Sequence, residues 1–139
     1  MHDLPEWYRI EEEQLLSIEH SHSVNLKGLE TWKENNRDLI NAVKNKHIVY
    51  CIWVDQSPVY VGQSHAKYSR SRMIHHLHQK HYKTGSKLDK VKAAVDLGSS
   101  ISLSFVSFSE KDKRMRHVVE AWKIARHVDR LEWNSRGTQ

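Results

Sequence analysis

The apolar pattern of the chain is densest between residues 48 and 62. Residues 48–54 are all β-branched, aromatic or otherwise apolar, residues 55–58 are turn formers, and residues 59–61 form a second short β run. Two such runs around a short turn predict a β-hairpin. A loop with an odd number of residues, such as three, places Tyr50 and Tyr60 on one face as diagonal neighbours, whereas an even loop without a bulge places them on opposite faces.

Helical periodicity surrounds this hairpin. We predict a first helix over residues 3–20, a linker at His20–Ser23 and a second helix over about 25–45. The second helix has an apolar stripe of Leu29, Trp32, Leu39, Ile40 and Val43. After the hairpin, residues 67–81 suit a helix with Met73 and Leu77 inward.

The C-terminal half predicts a helix, a strand and a longer helix. A short helix marked by Leu88, Val91 and Val95 should end near Gly98. Residues 101–105 alternate as a third strand, and the slip of phase at residues 105–106 indicates either a bulge or a strand end buried on both faces. The last helix covers about 110–128, with a predicted inner stripe of Met115, Val118, Trp122, Ala125 and Val128.

These elements predict one α/β (α+β) domain, with a small, mainly antiparallel three-stranded sheet flanked by helices. We divide the chain into an N-terminal helical extension, 1–46, and a domain at 47–139. The extension either packs in support of the sheet or forms an arm that binds DNA or a second subunit. The single cysteine excludes an internal disulfide and suits the cytoplasm, where we expect the protein. No apolar run approaches the roughly 20 residues of a membrane span, and the start lacks a signal-peptide pattern.

Charge is unevenly distributed over the two parts. Residues 1–46 carry nine acidic and six basic side chains, a net −3, and residues 47–139 carry eight acidic and sixteen basic ones, a net +8. The basic surplus therefore lies on the part that holds the hairpin, which favours a polyanionic partner. The negative net charge of the extension argues against a DNA-binding arm.

The motifs Ile48-Val49-Tyr50 and Tyr60-Val61-Gly62 resemble the opening of the GIY-YIG nuclease family, with the family's first glycine replaced. In the family an Arg and then a His four residues later follow on the next helix, and Arg72 and His76 match that spacing. A Glu on the helix after the third strand is followed by an Asn about fourteen residues later, as Glu120 is by Asn134. The resemblance covers residues 47–135.

The resemblance implies a nuclease site and a role for each of its residues. Glu120 would bind Mg²⁺ or Mn²⁺, and an arginine would stabilise the charge at phosphorus. Tyr50 would accept a proton from the attacking water, with its pKa lowered by the metal and by cationic side chains, and Tyr60 would position that water or a phosphate oxygen. His76 would assist, and Asn134 would fix the local backbone or the Glu. The residues expected to contact nucleic acid are Gly62, Gln63, Lys67 and Arg70.

Several alternatives stay open at the level of sequence. Arg70 competes with Arg72, because its distance from Gly62 fits many family members better. Glu120 is alternatively a surface ion pair with Lys123 or Arg116. The histidine run at 75–81 suggests zinc, but successive imidazoles point around a helix. The acidic run at 11–13 is either a solvated face or a carboxylate cluster.

The function that the resemblance implies is a metal-dependent DNA endonuclease of restriction, phage or mobile-element type. A single-site nuclease that cuts both strands usually pairs, so we expect a homodimer or larger. Two other functions remain: a non-catalytic nucleic-acid-binding module on the same fold, and a nuclease toxin neutralised by a partner.

Overall fold

The fold is an antiparallel sheet with helices on both faces. The computed structural model describes residues 22–23, 36–77 and 87–134, with the backbone alone at 22–23 and 74–77. In chain order the elements are β1 (His22–Ser23), α1 (Arg37–Val43), β2 (His47–Val54), β3 (Ser57–Ser64), α2 (Ser69–Leu77), α3 (Leu88–Asp96), β4 (Ile101–Phe108), α4 (Met115–Arg126) and a 3₁₀ turn (Glu132–Asn134). The helix predicted at 3–20, the positions of Leu29 and Trp32, the side chains of His76 and Leu77 and the side chains of the histidine run lie outside the described residues.

The three long strands form the predicted antiparallel sheet in the order β4-β2-β3. The α+β fold class is therefore confirmed. β1 pairs with the outer edge of β4, His22 opposite Leu103 and Ser23 opposite Ser102. The interpretation of His20–Ser23 as a linker is wrong at these two residues, because their backbone continues the sheet.

The central strand β2 is buried on both faces, and its alternation divides the core into two clusters. Ile48, Tyr50 and Ile52 face one cluster, which includes residues of α1, α2 and α3. Val49, Cys51 and Trp53 face the other, which lies under α4. Leu39, Ile40 and Val43 of the predicted second helix belong to the first cluster, so this part of the N-terminal extension shares the core of the sheet.

Strand β4 is also covered on both faces. Leu103 packs in the first cluster and Val106 in the second, and the pairing with β2 runs from Ile101 to Phe108 without a shift. The apolar pattern slips at Phe105-Val106 because Phe105 packs partly buried against the first cluster and Val106 lies in the second, and no bulge is needed. The strand end is not fully buried, since Ser107 is exposed. Ser104, fully buried, accepts a hydrogen bond from Trp53 Nε1 at 2.9 Å.

The predicted orientation of the last helix is wrong. Val119 and Lys123 of α4 are buried, whereas Val118 and Trp122, which we assigned to the inner stripe, are 49% and 41% exposed. Val128, also assigned to it, lies beyond the helix and is exposed. The helix is rotated by about one residue, 100°, from the predicted orientation. This rotation turns the side of Glu120 toward the protein.

The two helices that follow the hairpin, α2 and α3, lie within their predicted ranges. Met73 of α2 is fully buried. Leu88 and Val91 anchor α3, although Val95 is 37% exposed, and the chain leaves this helix at Gly98 with a positive φ of 92°. Within the described ranges, no helix is both long and apolar enough to cross a membrane.

Candidate functional site

Tyr50 and Tyr60 lie on the same face of the hairpin, as an odd loop would have placed them, but the turn itself is even. Val54 pairs with Ser57, which leaves two residues in the turn. A bulge then shifts the register, so that Ile52 faces Tyr60 and Tyr50 faces Gly62. The two tyrosine rings are diagonal neighbours with centroids 6.2 Å apart, tilted by 48°.

Gly62 lies directly beneath the Tyr50 ring. A Cβ at Gly62 would lie 2.6 Å from the Tyr50 hydroxyl oxygen and 3.0 Å from Cε2 of Tyr60. The absence of a side chain therefore makes room for the two rings. Gly62 is predicted to contact nucleic acid, but it lies within β3, and the group that approaches it is Tyr50.

Arg72 reaches the two tyrosines from the first turn of α2. Its guanidinium donates hydrogen bonds to the hydroxyl oxygens of both Tyr50 and Tyr60. Burial acts to lower the pKa of Arg72, but the two tyrosines outweigh it and the net shift is upward. Arg70 shows no such contact with the tyrosines among the described residues, because two positions along a helix turn a side chain by about 200°. Arg72 is therefore the arginine of the pair that joins this cluster.

One donor of Arg72 has no acceptor. Its Nε lies buried, and no acceptor within the described ranges is at hydrogen-bond distance. Buried donors without a partner are costly, and such a group in a native fold calls for an explanation. A phosphate oxygen is the acceptor that a guanidinium best matches.

Both tyrosines are held as neutral phenols by the protein alone. Burial raises the pKa of Tyr50 strongly, Tyr60 raises it further, and the charge and hydrogen bond of Arg72 lower it by less than these effects raise it. Burial also raises the pKa of Tyr60, again against Arg72. Within the protein alone, desolvation exceeds the attraction of a single guanidinium. The lower pKa that we expect for Tyr50 beside a bound metal and cationic side chains stays a prediction.

Glu120 joins the cluster from α4. Its carboxyl group is half-buried, and its charge acts on both tyrosines. Burial raises the pKa of Glu120, and Arg72 partly opposes this shift. The alternative of an exposed ion pair with Lys123 or Arg116 is not seen among the described contacts: Lys123 is buried and Arg116 bonds elsewhere.

Asn134 holds the backbone of the second motif triplet, Tyr60-Val61-Gly62, at its middle residue. Its Oδ1 accepts a hydrogen bond from Val61 N at 2.7 Å, and its Nδ2 donates to Val61 O at 3.0 Å. The amide side chain thereby pairs with the outer edge of β3 as a neighbouring strand would. Of the two roles suggested by the sequence, this contact provides the one on the backbone.

His47 connects the loops that lead into α2 and α4. Its Nε2–H donates to Glu110 at 2.8 Å, and its Nδ1 accepts from Ala66 N at 3.1 Å. Lys113 also donates to Glu110, and these two hydrogen bonds lower the pKa of Glu110 to about 2. His47 is 4% exposed, so it is a fully bonded internal tie between the loops that deliver Arg72 and Glu120.

A pocket of about 370 Å³ adjoins the cluster through Arg72. It is lined by Gln63, Ser64, His65, Tyr68, Ser71, Arg72 and Arg116. Gln63, predicted to contact nucleic acid, therefore faces this pocket. Lys67, another predicted contact, is exposed, with its Nζ 5.6 Å from the centroid of the Tyr68 ring.

Sequence reasoning missed two cations of the site. Lys87, which immediately precedes α3, has its Nζ 5.1 Å from the centroid of the Tyr60 ring, and burial followed by the charges of Lys90 and Arg72 lowers its pKa. Arg116, considered only as an ion-pair partner, lines the pocket. The excess of basic residues was a signal for such groups, but it did not distinguish these two from the others.

The site can bind an anion and hold it beside neutral hydroxyls and one acid. A single carboxylate cannot form a closed metal centre, and no group of three or more His, Cys, Asp or Glu suited to a metal occurs within the described residues. A single carboxylate such as that of Glu120 does match the way Mg²⁺ is held, because Mg²⁺ binds through one or two carboxylates together with waters and substrate phosphates. No family model, curated protein or solved structure matches the chain.

Proposed function

We propose that the protein is a metal-dependent DNA endonuclease of the GIY-YIG type. The observation that carries the proposal is the convergence of Tyr50, Tyr60, Arg72 and Glu120, which come from four different elements and interact in one cluster. Their order along the chain is the order that the family resemblance implies. A basic pocket beside the cluster adds support for a polyanionic substrate.

The reaction is the hydrolysis of a phosphodiester bond. Water attacks phosphorus, the bond from phosphorus to the 3′ oxygen breaks, and the leaving oxygen takes a proton, which gives a 5′-phosphate and a 3′-hydroxyl. Glu120 would hold Mg²⁺ or Mn²⁺, and the bound ion would supply positive charge to the phosphate and lower the pKa of a coordinated water.

The side chains around Glu120 would position the attacking water and stabilise the charge on the phosphoryl oxygens. Arg72 is oriented by both tyrosine hydroxyls and offers its remaining donors to the phosphoryl oxygens. Tyr50 and Tyr60, kept neutral by burial, act as hydroxyl partners for the attacking water or a phosphate oxygen. His76, one helical turn after Arg72 on α2, is the candidate proton acceptor. Asn134 acts through the backbone of Val61 and is a positioning residue.

A plasmid-nicking assay tests this proposal. The wild-type protein should nick supercoiled DNA with Mg²⁺ or Mn²⁺, and EDTA should abolish the reaction. Glu120→Gln keeps the shape of the side chain but removes the charge, so we expect a loss of roughly 100-fold or more in cleavage rate. Glu132→Gln is the matched control, because Glu132 is an exposed acid in the nearby 3₁₀ turn, and this variant should cleave normally.

Two outcomes would count against the proposal. Cleavage by Glu120→Gln at the wild-type rate would show that Glu120 is not the metal ligand. Tight DNA binding by the wild-type protein with no cleavage under any divalent ion would support the binding module instead. Sequencing of the product ends would report the recognition site and the stagger, and sedimentation of the active species would test the expected homodimer.

A further inference from the structure

The pocket beside the catalytic cluster has the features of a separate ligand site. It is formed where β3, the loop to α2, the first turns of α2 and the start of α4 meet. Among the residues whose side chains are described, Arg72 is the one member of the predicted catalytic set that lines it. A ligand in this pocket would therefore be the direct neighbour of whatever Arg72 binds on the catalytic side.

Arg116 is held in place as a donor group for this pocket. Its Nε donates to Gln63 Oε1 at 2.7 Å, and its Nη1 donates to the backbone oxygen of Lys113 at 2.7 Å. Among the described residues, the other three of its five N–H groups have no hydrogen-bond partner. A guanidinium that is already oriented loses little conformational freedom on binding, and its planar fork matches a phosphate.

The charge around the pocket is positive. Arg72 and Arg116 line it, and the Nζ of Lys67 lies 5.6 Å from the ring centroid of Tyr68, another lining residue. The carboxylate nearby, Glu110, is already bonded to Lys113 and His47. Burial, followed by the charges of His47, Arg116 and Lys113, lowers the pKa of His65 and so favours its neutral form. These groups select an anion.

The size and the aromatic rim indicate more than a phosphate. A volume of about 370 Å³ lies within the range of small-molecule sites, roughly 300–1,000 Å³. Tyr68 lines the pocket with 56% of its surface exposed. Exposed aromatic rings next to basic side chains are the elements on which nucleobases stack. Phosphate donors and an aromatic surface together match a nucleotide.

We propose that this pocket binds the nucleotide next to the scissile phosphate, with Arg116 contacting its phosphate and Tyr68 its base. The assignment rests on the proposed function, because it takes the substrate to be a nucleic-acid strand that continues from the catalytic cluster. Arg116, Tyr68 and His65 are then substrate-binding residues. Stacking on Tyr68 requires a base that has left the duplex, so the pocket favours an unpaired nucleotide over a paired one.

Binding of short fluorescein-labelled oligonucleotides, measured by anisotropy in EDTA, tests the phosphate contact. Arg116→Gln should raise the Kd about tenfold and reduce the slope of log K against log salt by about one. The matched control is Arg114→Gln. Arg114 lies two residues before Arg116, is exposed and does not line the pocket, so the loss of its charge should change the Kd by less than about twofold. Equal losses in the two variants would mean that only the overall charge matters, and would overturn the phosphate contact.

A pair of variants at Tyr68 tests the base contact. Tyr68→Phe keeps the ring and should bind as the wild type does, whereas Tyr68→Ala should lose about fivefold or more on a single strand. The duplex of the same sequence should bind more weakly than the single strand, and Tyr68→Ala should narrow that difference. Wild-type affinity of Tyr68→Ala for the single strand would overturn the nucleotide assignment.

Arg116 also ties α4 to β3, so the fold of Arg116→Gln must be checked by thermal unfolding. Should it not fold, Ser71→Asp places a carboxylate in the same pocket and leaves the Arg116 contacts intact. This variant should weaken binding about tenfold or more, while Ser107→Asp, an exposed change on β4 outside the pocket, should not. Equal affinities of these two variants would overturn the proposal.

The outcomes separate this assignment from the proposed function. If the pocket variants weaken binding but the wild-type protein cleaves nothing, the nucleotide site is supported and the nuclease function is rejected. If the wild-type protein cleaves DNA but the Arg116 and Tyr68 variants bind oligonucleotides as tightly as their controls, the nuclease function is supported and the nucleotide site is rejected.

Discussion

Two tyrosine rings and the bare backbone of a glycine form the floor of the candidate site. Tyr50 is fully buried, and its hydroxyl lies over the position where any side chain at residue 62 would begin. Such a ring has little room to shift, because interiors are close-packed. The position of this hydroxyl therefore depends on the absence of a single carbon atom.

Gly62→Ala should displace Tyr50 and lose both stability and activity. The added Cβ would lie 2.6 Å from the hydroxyl oxygen and 2.7 Å from Cζ, a clash that costs about 1–3 kcal/mol of unfolding free energy. Chemical denaturation measures the stability, and plasmid nicking at a temperature where the variant is folded measures the activity. Gly98→Ala is the control: its φ of 92° makes alanine strained, yet nothing lies within 4 Å of the added carbon. Normal cleavage by Gly62→Ala would contradict this account of the site.

Glu120 is expected to reduce the stability of the fold at neutral pH. Its pKa in the folded state is raised above the usual 4.5, mainly by burial. A carboxyl group with a raised pKa in the folded state binds its proton more tightly there, so stability falls as the pH rises from the usual pKa through the raised one. Functional groups that oppose stability are common at active sites.

Glu120→Gln should therefore unfold at a higher denaturant concentration than the wild type at pH 7. The difference should shrink as the pH falls below the usual pKa of a glutamate, because the wild-type carboxyl group is then protonated in both states. Denaturation midpoints across pH 3–7 provide the measurement, and Glu132→Gln serves as the exposed control. Destabilisation by Glu120→Gln at pH 7 would show that the attraction of Arg72 outweighs desolvation.

At the scale of the elements, α4 decides whether the acid belongs to the site. Apolar residues occur around much of this helix, so its sequence pattern is compatible with two orientations. The structure selects the one that buries Val119 under the sheet and brings Arg116 to Gln63. Only in this orientation does the side of Glu120 face Arg72.

Neighbouring valines of α4 provide a direct test of that orientation. Val118→Lys places a charge at a position that is 49% exposed, and should change the unfolding free energy by less than about 0.5 kcal/mol. Val119→Lys places the same charge at a position that is 1% exposed, and should cost about 3 kcal/mol or more. Thermal or chemical unfolding of the two variants measures the difference. A larger loss of unfolding free energy in Val118→Lys than in Val119→Lys would support the orientation that the apolar stripe predicts.

The hairpin shows how a correct arrangement can follow from an incorrect detail. An odd loop was the simplest way to align Tyr50 with Tyr60, and the structure aligns them by an even turn followed by a bulge. Asp55, in the turn, adopts a positive φ of 55°, and its Oδ1 accepts from Ser100 N at 3.0 Å. This contact ties the turn to the start of β4, a partner that is distant along the chain.

At the scale of the whole molecule, the charge asymmetry predicts that binding to a polyanion depends strongly on salt concentration. The part from residue 47 onward carries a net +8, and the two arginines of the pocket belong to it. We expect DNA binding to weaken by roughly tenfold or more between 50 and 200 mM salt, because each phosphate contact releases counterions. Anisotropy titrations over this range measure the slope. Affinity independent of salt would argue against a phosphate-binding surface.

The sequence by itself determined the elements and their chemistry. Alternation along residues 48–54, turn residues after them and the helical spacing of Met73, Leu88 and Val91 are local signals, and each element formed close to its predicted place. The order of Tyr50, Tyr60, Arg72, Glu120 and Asn134 likewise needed no coordinates.

Only the tertiary structure decided which groups meet. The choice of Arg72 over Arg70, the rotation of α4, the burial that keeps Tyr50 neutral and the pocket on Arg116 all depend on contacts between segments distant in sequence. The physical reason is that periodicity reports which face of an element is apolar, whereas the pKa of a group and the partner of a donor depend on what another element places against it.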